Sequence, residues 1–179
     1  MSTPVLELED IQSGVLSPRP SPYVATYILL RIDERKVGRE LMRKLSTVVA
    51  SVGHQTSPAG DAWVSVSLSF QGLKALGVPQ ESLDSFPPEF RLGMAARAHE
   101  LGDTGESSPE KWEKPLGTEE VHVVLTALSP NEQKLESVLE RAKKTYQKLQ
   151  GIKAIWRQNC YASTTGKEVS EYQAVLLHQ

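Results

Sequence analysis

Residues Asp61–Val78 read DAWVSVSLSFQGLKALGV, and the fold turns on this stretch. Val64, Val66, Leu68 and Phe70 alternate with Trp63, Ser65, Ser67 and Ser69, a period of two with one strongly apolar face. That is the pattern of a half-buried strand. At Gln71-Gly72 the period changes. Leu73, Leu76 and Val78 fit a short helical turn, which Gly77 and then Pro79 stop. A core strand feeding straight into a helix makes a rigid corner, from which the segments on either side can be placed.

Upstream, Tyr23–Ile32 (YVATYILLRI) is rich in β-formers and apolar on both faces, which predicts a central strand. Asp33 is the expected N-cap of a helix in which Val37, Leu41, Leu45, Val48, Val49 and Val52 recur at helical spacing, closed by Gly53. His54–Gly60 is read as a loop. Residues 1–22 are read as a tail that ends in Ser17-Pro18-Arg19-Pro20-Ser21-Pro22, a run of helix and strand breakers.

Downstream of Pro79, Ser85-Phe86-Pro87-Pro88 opens a predicted helix with Phe90, Met94, Ala95, Ala98 and Leu101 on one face. Gly102–Gly117 has no periodicity and reads as a surface loop. Val121–Leu128 (VHVVLTAL) is a strand. Pro130-Asn131-Glu132 starts a helix carrying Leu135, Val138, Leu139, Ala142, Tyr146 and Leu149, closed by Gly151, and Ile152–Ser163 forms a final strand.

Apart from the inserted helix and loop, the order is β-α-β twice. Two such units predict an α+β, ferredoxin-like βαββαβ domain: a four-stranded antiparallel sheet with both long helices on one face. The face carrying Trp63, Ser65, Ser67 and Ser69 then looks away from the helices, at solvent or at a second sheet.

The chain has 179 residues, a net charge of -2, 39% apolar and 23% charged residues, which suits one domain with a real core. Lys and Arg are scattered, so no nucleic-acid or anionic-membrane footprint is expected. No apolar run is long enough for a spanning helix, and MSTPVLELEDIQ has no signal-peptide pattern. Cys160 is the one cysteine, which excludes an internal disulfide and a thiolate metal cluster within one chain. The default expectation is a cytoplasmic protein.

The titratable residues supply no constellation. His54, His99, His122 and His178 are never three or four apart, and an isolated histidine is usually structural. His122, alternating with Val121 and Val123, is read as solvent-facing or on a sheet face. Cys160 has no adjacent base and is read as an inert thiol. The acidic loop of Glu100, Asp103, Glu106, Glu110 and Glu113 lacks calcium-loop spacing and reads as a solvated surface. Trp63, Trp112 and Trp156 are read as packing residues in a core or an interface. Gly102-Asp103-Thr104-Gly105 follows no strand, so no phosphate loop is expected.

Several blocks together resemble the N-terminal half of a DyP-type (dye-decolorizing) heme peroxidase. They are Asp10-Ile11-Gln12, YILLRI, WVSVSLSFQGLKALGVPQESLDSFPPEFRLGMAARAHELGD, SSPEKWEKPLG, VHVVLTAL and AIWRQNCYAS. The resemblance runs over roughly residues 8–169. It implies a peroxidase that uses heme b and hydrogen peroxide to oxidise dyes, phenolics or similar bulky reductants. It also implies two ferredoxin-like halves with facing sheets, so that the Ser/Trp face is covered by the other half, and with heme held mainly in the C-terminal one.

In that family the last strand of this half leads into a Gly-x-x-Asp-Gly motif. Its aspartate and a downstream arginine handle peroxide, and a histidine of the C-terminal half ligates iron. Here Thr164–Val169 approaches the motif, but Ser170–Gln179 reads SEYQAVLLHQ and no Gly-x-x-Asp-Gly is present. His178 matches no family position. The expectation is therefore a tail over 1–22, a peroxidase-type domain over 23–169 and a divergent ending over 170–179. No catalytic, cofactor-binding or metal residue is assigned, and the chain is expected to be incomplete, inactive and without stably bound heme. Its partner would be a missing C-terminal half or a second copy, through the open sheet face. A reading from another class is a stand-alone ferredoxin-like module that dimerises or binds a ligand through that face.

Overall fold

The structure is a computed structural model that describes residues 6–17, 19, 22–52 and 62–161. Its elements are α1 (Ser13–Leu16), β1 (Val24–Ile32), α2 (Arg35–Leu45), β2 (Trp63–Leu68), α3 (Phe70–Ala75), α4 (Gln80–Asp84), α5 (Pro88–Ala96), α6 (Ala98–Leu101), β3 (Val123–Ser129), α7 (Glu132–Tyr146) and β4 (Ile152–Tyr161). The strands form one sheet in the order β2-β3-β1-β4, with every neighbouring pair antiparallel. Each β-α-β crossover skips one position: β3 fills the gap between β1 and β2, and β1 separates β3 from β4. This is the ferredoxin-like arrangement that the sequence predicts.

Both long helices lie on one face, because their apolar stripes share a core with alternate strand residues. Leu41 and Leu45 of α2 and Leu135, Val138, Leu139 and Ala142 of α7 pack with Ile28, Leu30 and Ile32 of β1. Val64 of β2 and Val123, Leu125 and Ala127 of β3 complete the layer. Burying one such leucine contributes roughly 1.5–3 kcal/mol, so this layer is the principal source of stability.

Local chemistry sets the element ends, and it corrects three expectations. Asp33 does not cap α2; its carboxylate pairs instead with Arg31, two residues back on β1, and with Lys153 across on β4. α2 stops at Leu45 rather than running to Gly53, which lies outside the described residues. There Ser46 and Thr47 turn their hydroxyls back onto the carbonyls of Arg43 and Lys44, both at 2.8 Å, competing with helix continuation. β2 ends at Leu68, and Phe70 is the first residue of α3 instead of the last of the strand. Ser69 Oγ accepts the Gly72 N–H at 2.9 Å, an N-cap that starts the helix one residue after the strand. By contrast α7 begins as expected, with the Asn131 side chain accepting from Lys134 N–H at 3.0 Å.

The predicted helix opening at Pro88 is interrupted. Gly93 adopts φ 73°, ψ 178°, and Arg97 breaks the chain again before α6. The expected single apolar face is consequently split, and Leu92, Met94 and Leu101 are exposed. Phe90, also partly exposed, meets Phe70 edge-on at 6.1 Å and Phe86 at 5.2 Å.

The segment before β1 packs on the sheet. Ser13 N–H donates to Ala50 O and Val52 N–H to Ile11 O, both at 2.8 Å, and Gln12 bridges Ser51. This strap, Ile11–Leu16, runs along the outer edge of β2.

Candidate functional site

The sheet face opposite the helices is the surface on which a site can be built, and strand register defines it. Three rows cross all four strands. Trp63, Leu128, Ala25 and Cys160 form the first. Ser65, Thr126, Tyr27 and Gln158 form the second, and Ser67, Val124, Leu29 and Trp156 the third. None of these positions carries a charge. The middle row is a line of hydrogen-bonding side chains, each able to donate and accept, between two rows that are mainly apolar.

The ends of this face are framed. At the Trp63 end the strap covers Ser65, and a Cβ on Gly14 would overlap Ser65 Oγ and force that hydroxyl to move. At the Trp156 end the excursion folds back, and Trp156 Nε1 donates to Glu113 Oε1 at 2.9 Å. Leu29, Ala25 and Leu128 are buried between these flanks, while Tyr27 is 37% exposed at the centre.

Charge gathers just beyond the third row. Arg31 pairs with Asp33 and Glu120, and Asp33 also pairs with Lys153 at 2.9 Å. Lys153 first and Arg31 second hold the Asp33 carboxyl below the usual carboxylate range. Asp33, then Glu120, raise the Arg31 guanidinium further above its ordinary value. These groups tie the β1 and β4 ends to the loop before β3.

The residues singled out in the sequence do not converge. His122 Nδ1 accepts the Ile32 N–H at 2.9 Å, and Nε2 donates to Glu119 O at 3.1 Å, so neither nitrogen is left for a metal. His99 is exposed on α6. His54 and His178 lie outside the described residues, as do Thr164–Val169 and Ser170–Gln179. Cys160 is half-buried on the first row, and burial pushes its thiol up.

In the acidic loop Glu100 pairs with Arg97, Glu106 with Lys111 and Glu113 with Trp156, each separately. Glu110 is held below the ordinary range by its own backbone N–H and by Ser108. Among the described residues no group of three His, Cys, Asp or Glu could hold a metal ion. No described helix is long and apolar enough to cross a membrane.

None of the three tryptophans is in the buried core. Trp63 and Trp156 sit on the open face, and Trp112 packs on Gly117 with its Nε1 donating to Ser107 O at 2.7 Å. Sequence reasoning missed the middle row, because YVATYILLRI is apolar on both sides and hides Tyr27. It also missed the strap: Gln12 Nε2 donates to Val66 O at 2.9 Å while Gln12 Oε1 accepts Val66 N–H at 2.7 Å.

Comparison with known proteins bears on this geometry. No curated protein matches the chain. Among solved structures, a decolorizing peroxidase from Auricularia auricula-judae is similar at TM-score 0.71 and 20% identity, over 90% of this chain and 35% of that one. An ancestral D-type dye decolorizing peroxidase is similar at 0.71 and 20%, over 88% and 35%. A dye-decolorizing peroxidase in complex with 2,6-dimethoxyphenol is similar at 0.70 and 20%, over 89% and 35%. The chain spans about a third of the length of these structures, and at such identities the likeness is one of fold. The family described as "DyP dimeric alpha+beta barrel domain" matches residues 11–159, most of the chain, and to that family this protein belongs.

Proposed function

We propose that this chain is the frame half of a DyP-type heme peroxidase, with a second α+β unit docking on the open sheet face and supplying the iron ligand. The single observation that carries this reading is the uncharged face of three rows, framed at both ends by the strap and by the Glu113–Trp156 bond. Sheets stack face to face about 10 Å apart through interdigitating side chains. A charge-free face with a central hydroxyl and amide row suits such stacking, since Thr126, Tyr27 and Gln158 can find partners across it. Family membership supports heme as the cofactor of the assembled enzyme and peroxide as its oxidant. The phenol-bound relative supports a phenolic or dye reductant.

On this reading the chain alone does not turn over. Heme reactivity depends on an axial ligand and a shaped pocket. Here the His122 nitrogens are engaged and the Cys160 thiol is held protonated. The test is a hemin titration of the purified chain, followed by dye bleaching with peroxide, repeated after mixing with a DyP C-terminal half that carries the iron-ligating histidine. The isolated chain is expected to give no ligated Soret band and no bleaching, and the mixture to gain both. Peroxide-dependent turnover by the chain alone would overturn the proposal.

A further inference from the structure

The two edges of the sheet are protected in different ways, and only one protection lies in the edge strand itself. β4 carries Lys153 and Arg157 and has a register shift opposite Leu29/Leu30. Charge and irregularity both oppose pairing with another strand. β2, WVSVSL, has no charge, proline or glycine, and its register with β3 is unbroken. Among the described residues, its outward backbone groups at Val66 are taken by one side chain, the Gln12 amide.

We propose that Gln12 is a removable plug on a self-pairing edge: when the strap Ile11–Leu16 lifts, β2 adds antiparallel to β2 of a second copy. A two-fold axis relates such a pair, so each strand meets its own sequence reversed. WVSVSL meets this condition without setting like charges opposite one another. The strap is built to be the weaker partner. Beneath it the hydroxyls of Ser13 and Ser65 are buried with no hydrogen-bond partner among the described residues, a cost the contact must offset. Its outer residues Val15 and Leu16 are 71% and 49% exposed and add little burial. Among the bonds that hold it are those of the Gln12 amide and the two backbone bonds to Ala50 and Val52. An amide fits because it gives a donor to the Val66 carbonyl and an acceptor to the Val66 N–H from one planar group.

Gln12→Glu tests this reversibly. A protonated carboxyl keeps both a donor and an acceptor, whereas the carboxylate only accepts and faces the Val66 carbonyl. The variant is expected to match the wild-type mass by light scattering near pH 4. Near pH 7.5 it should gain a concentration-dependent species of twice the wild-type mass. Amide exchange at Val66, read by NMR, should be at least tenfold faster than wild type in dilute variant at pH 7.5, and protected again in the associated form. Three results would each overturn the proposal: wild-type mass with Val66 still protected at pH 7.5, rapid Val66 exchange without association at any concentration, or association that leaves Val66 exchanging. Circular dichroism at both pH values separates a lifted strap from an unfolded chain, and recovery of the wild-type spectrum on acidification is expected.

Discussion

His122 and Ile32 are joined by a backbone-to-ring bond: the Ile32 N–H donates to His122 Nδ1 at 2.9 Å at the point where β1 leaves the sheet. The same residue closes the β2–α3 corner with its main chain, since His122 O accepts the Ser69 N–H at 3.1 Å. Replacing the ring by a methyl group leaves a donor of a buried residue unpaired, at a cost of about 1–3 kcal/mol. His122→Ala is therefore expected to lower the urea midpoint without changing the denaturant slope. A midpoint equal to wild type would show that the ring is dispensable to the fold.

Gly72 sits in the first turn of α3 with its Cα against the His122 carbonyl, and a Cβ there would overlap that oxygen. On propensity alone Gly72→Ala in a helix gains about 1 kcal/mol. Overpacking against a backbone oxygen costs about 1–3 kcal/mol, and strand and helix cannot shift separately because Ser69 ties them. The expected result is a net destabilisation in thermal unfolding; a rise in Tm would show that the corner gives way freely.

Asp33 sets a pH dependence with a definite sign. Its folded-state carboxyl is held down by Lys153 and then Arg31, so the native chain binds fewer protons than the unfolded one across that window. The stability it contributes is present above the unfolded value of about 3.9 and is lost as pH falls through the lower native value. The stability difference between wild type and Asp33→Asn should be largest above about pH 5 and should close in acid. It should also be small and reduced by salt, because the pairs are exposed to solvent. A difference that does not change between acid and neutral pH would reject this assignment.

Cys160 reports on the open face. Burial raises its thiol above the ordinary range, so the thiolate is scarce at neutral pH. Alkylation by iodoacetamide should run slower than for a small-molecule thiol, with its pH midpoint displaced upward. Docking a second sheet on the face should slow it further. Labelling that is unchanged in the assembled enzyme would place the partner elsewhere.

How much of this was legible in advance differs from residue to residue. The alternation of Val64, Val66 and Leu68 with Trp63, Ser65 and Ser67 located β2 and its inward side, because burial of one strand face writes a period of two directly into the residues. The spacing of Leu135, Val138, Leu139 and Ala142 did the same for α7. The kink at Gly93 was not legible, since Phe90, Met94, Ala98 and Leu101 keep a helical spacing across a residue that adopts positive φ. Asp33 has the chemistry of an N-cap, yet Lys153 from the distant strand β4 and the neighbouring Arg31 compete for it and prevail.

The sequence by itself determined the order of the four strands and the two long helices, their apolar faces and, through the block motifs, the family. Those are local or periodic properties, fixed by what each residue does to its own stretch of backbone. Tertiary structure alone decided that Ser65, Thr126, Tyr27 and Gln158 stand in one row, that Gln12 occupies the backbone of Val66, and that His122 serves Ile32. Each of these joins residues tens of positions apart, and such partnerships depend on strand register and loop path, which no periodicity in a single chain encodes.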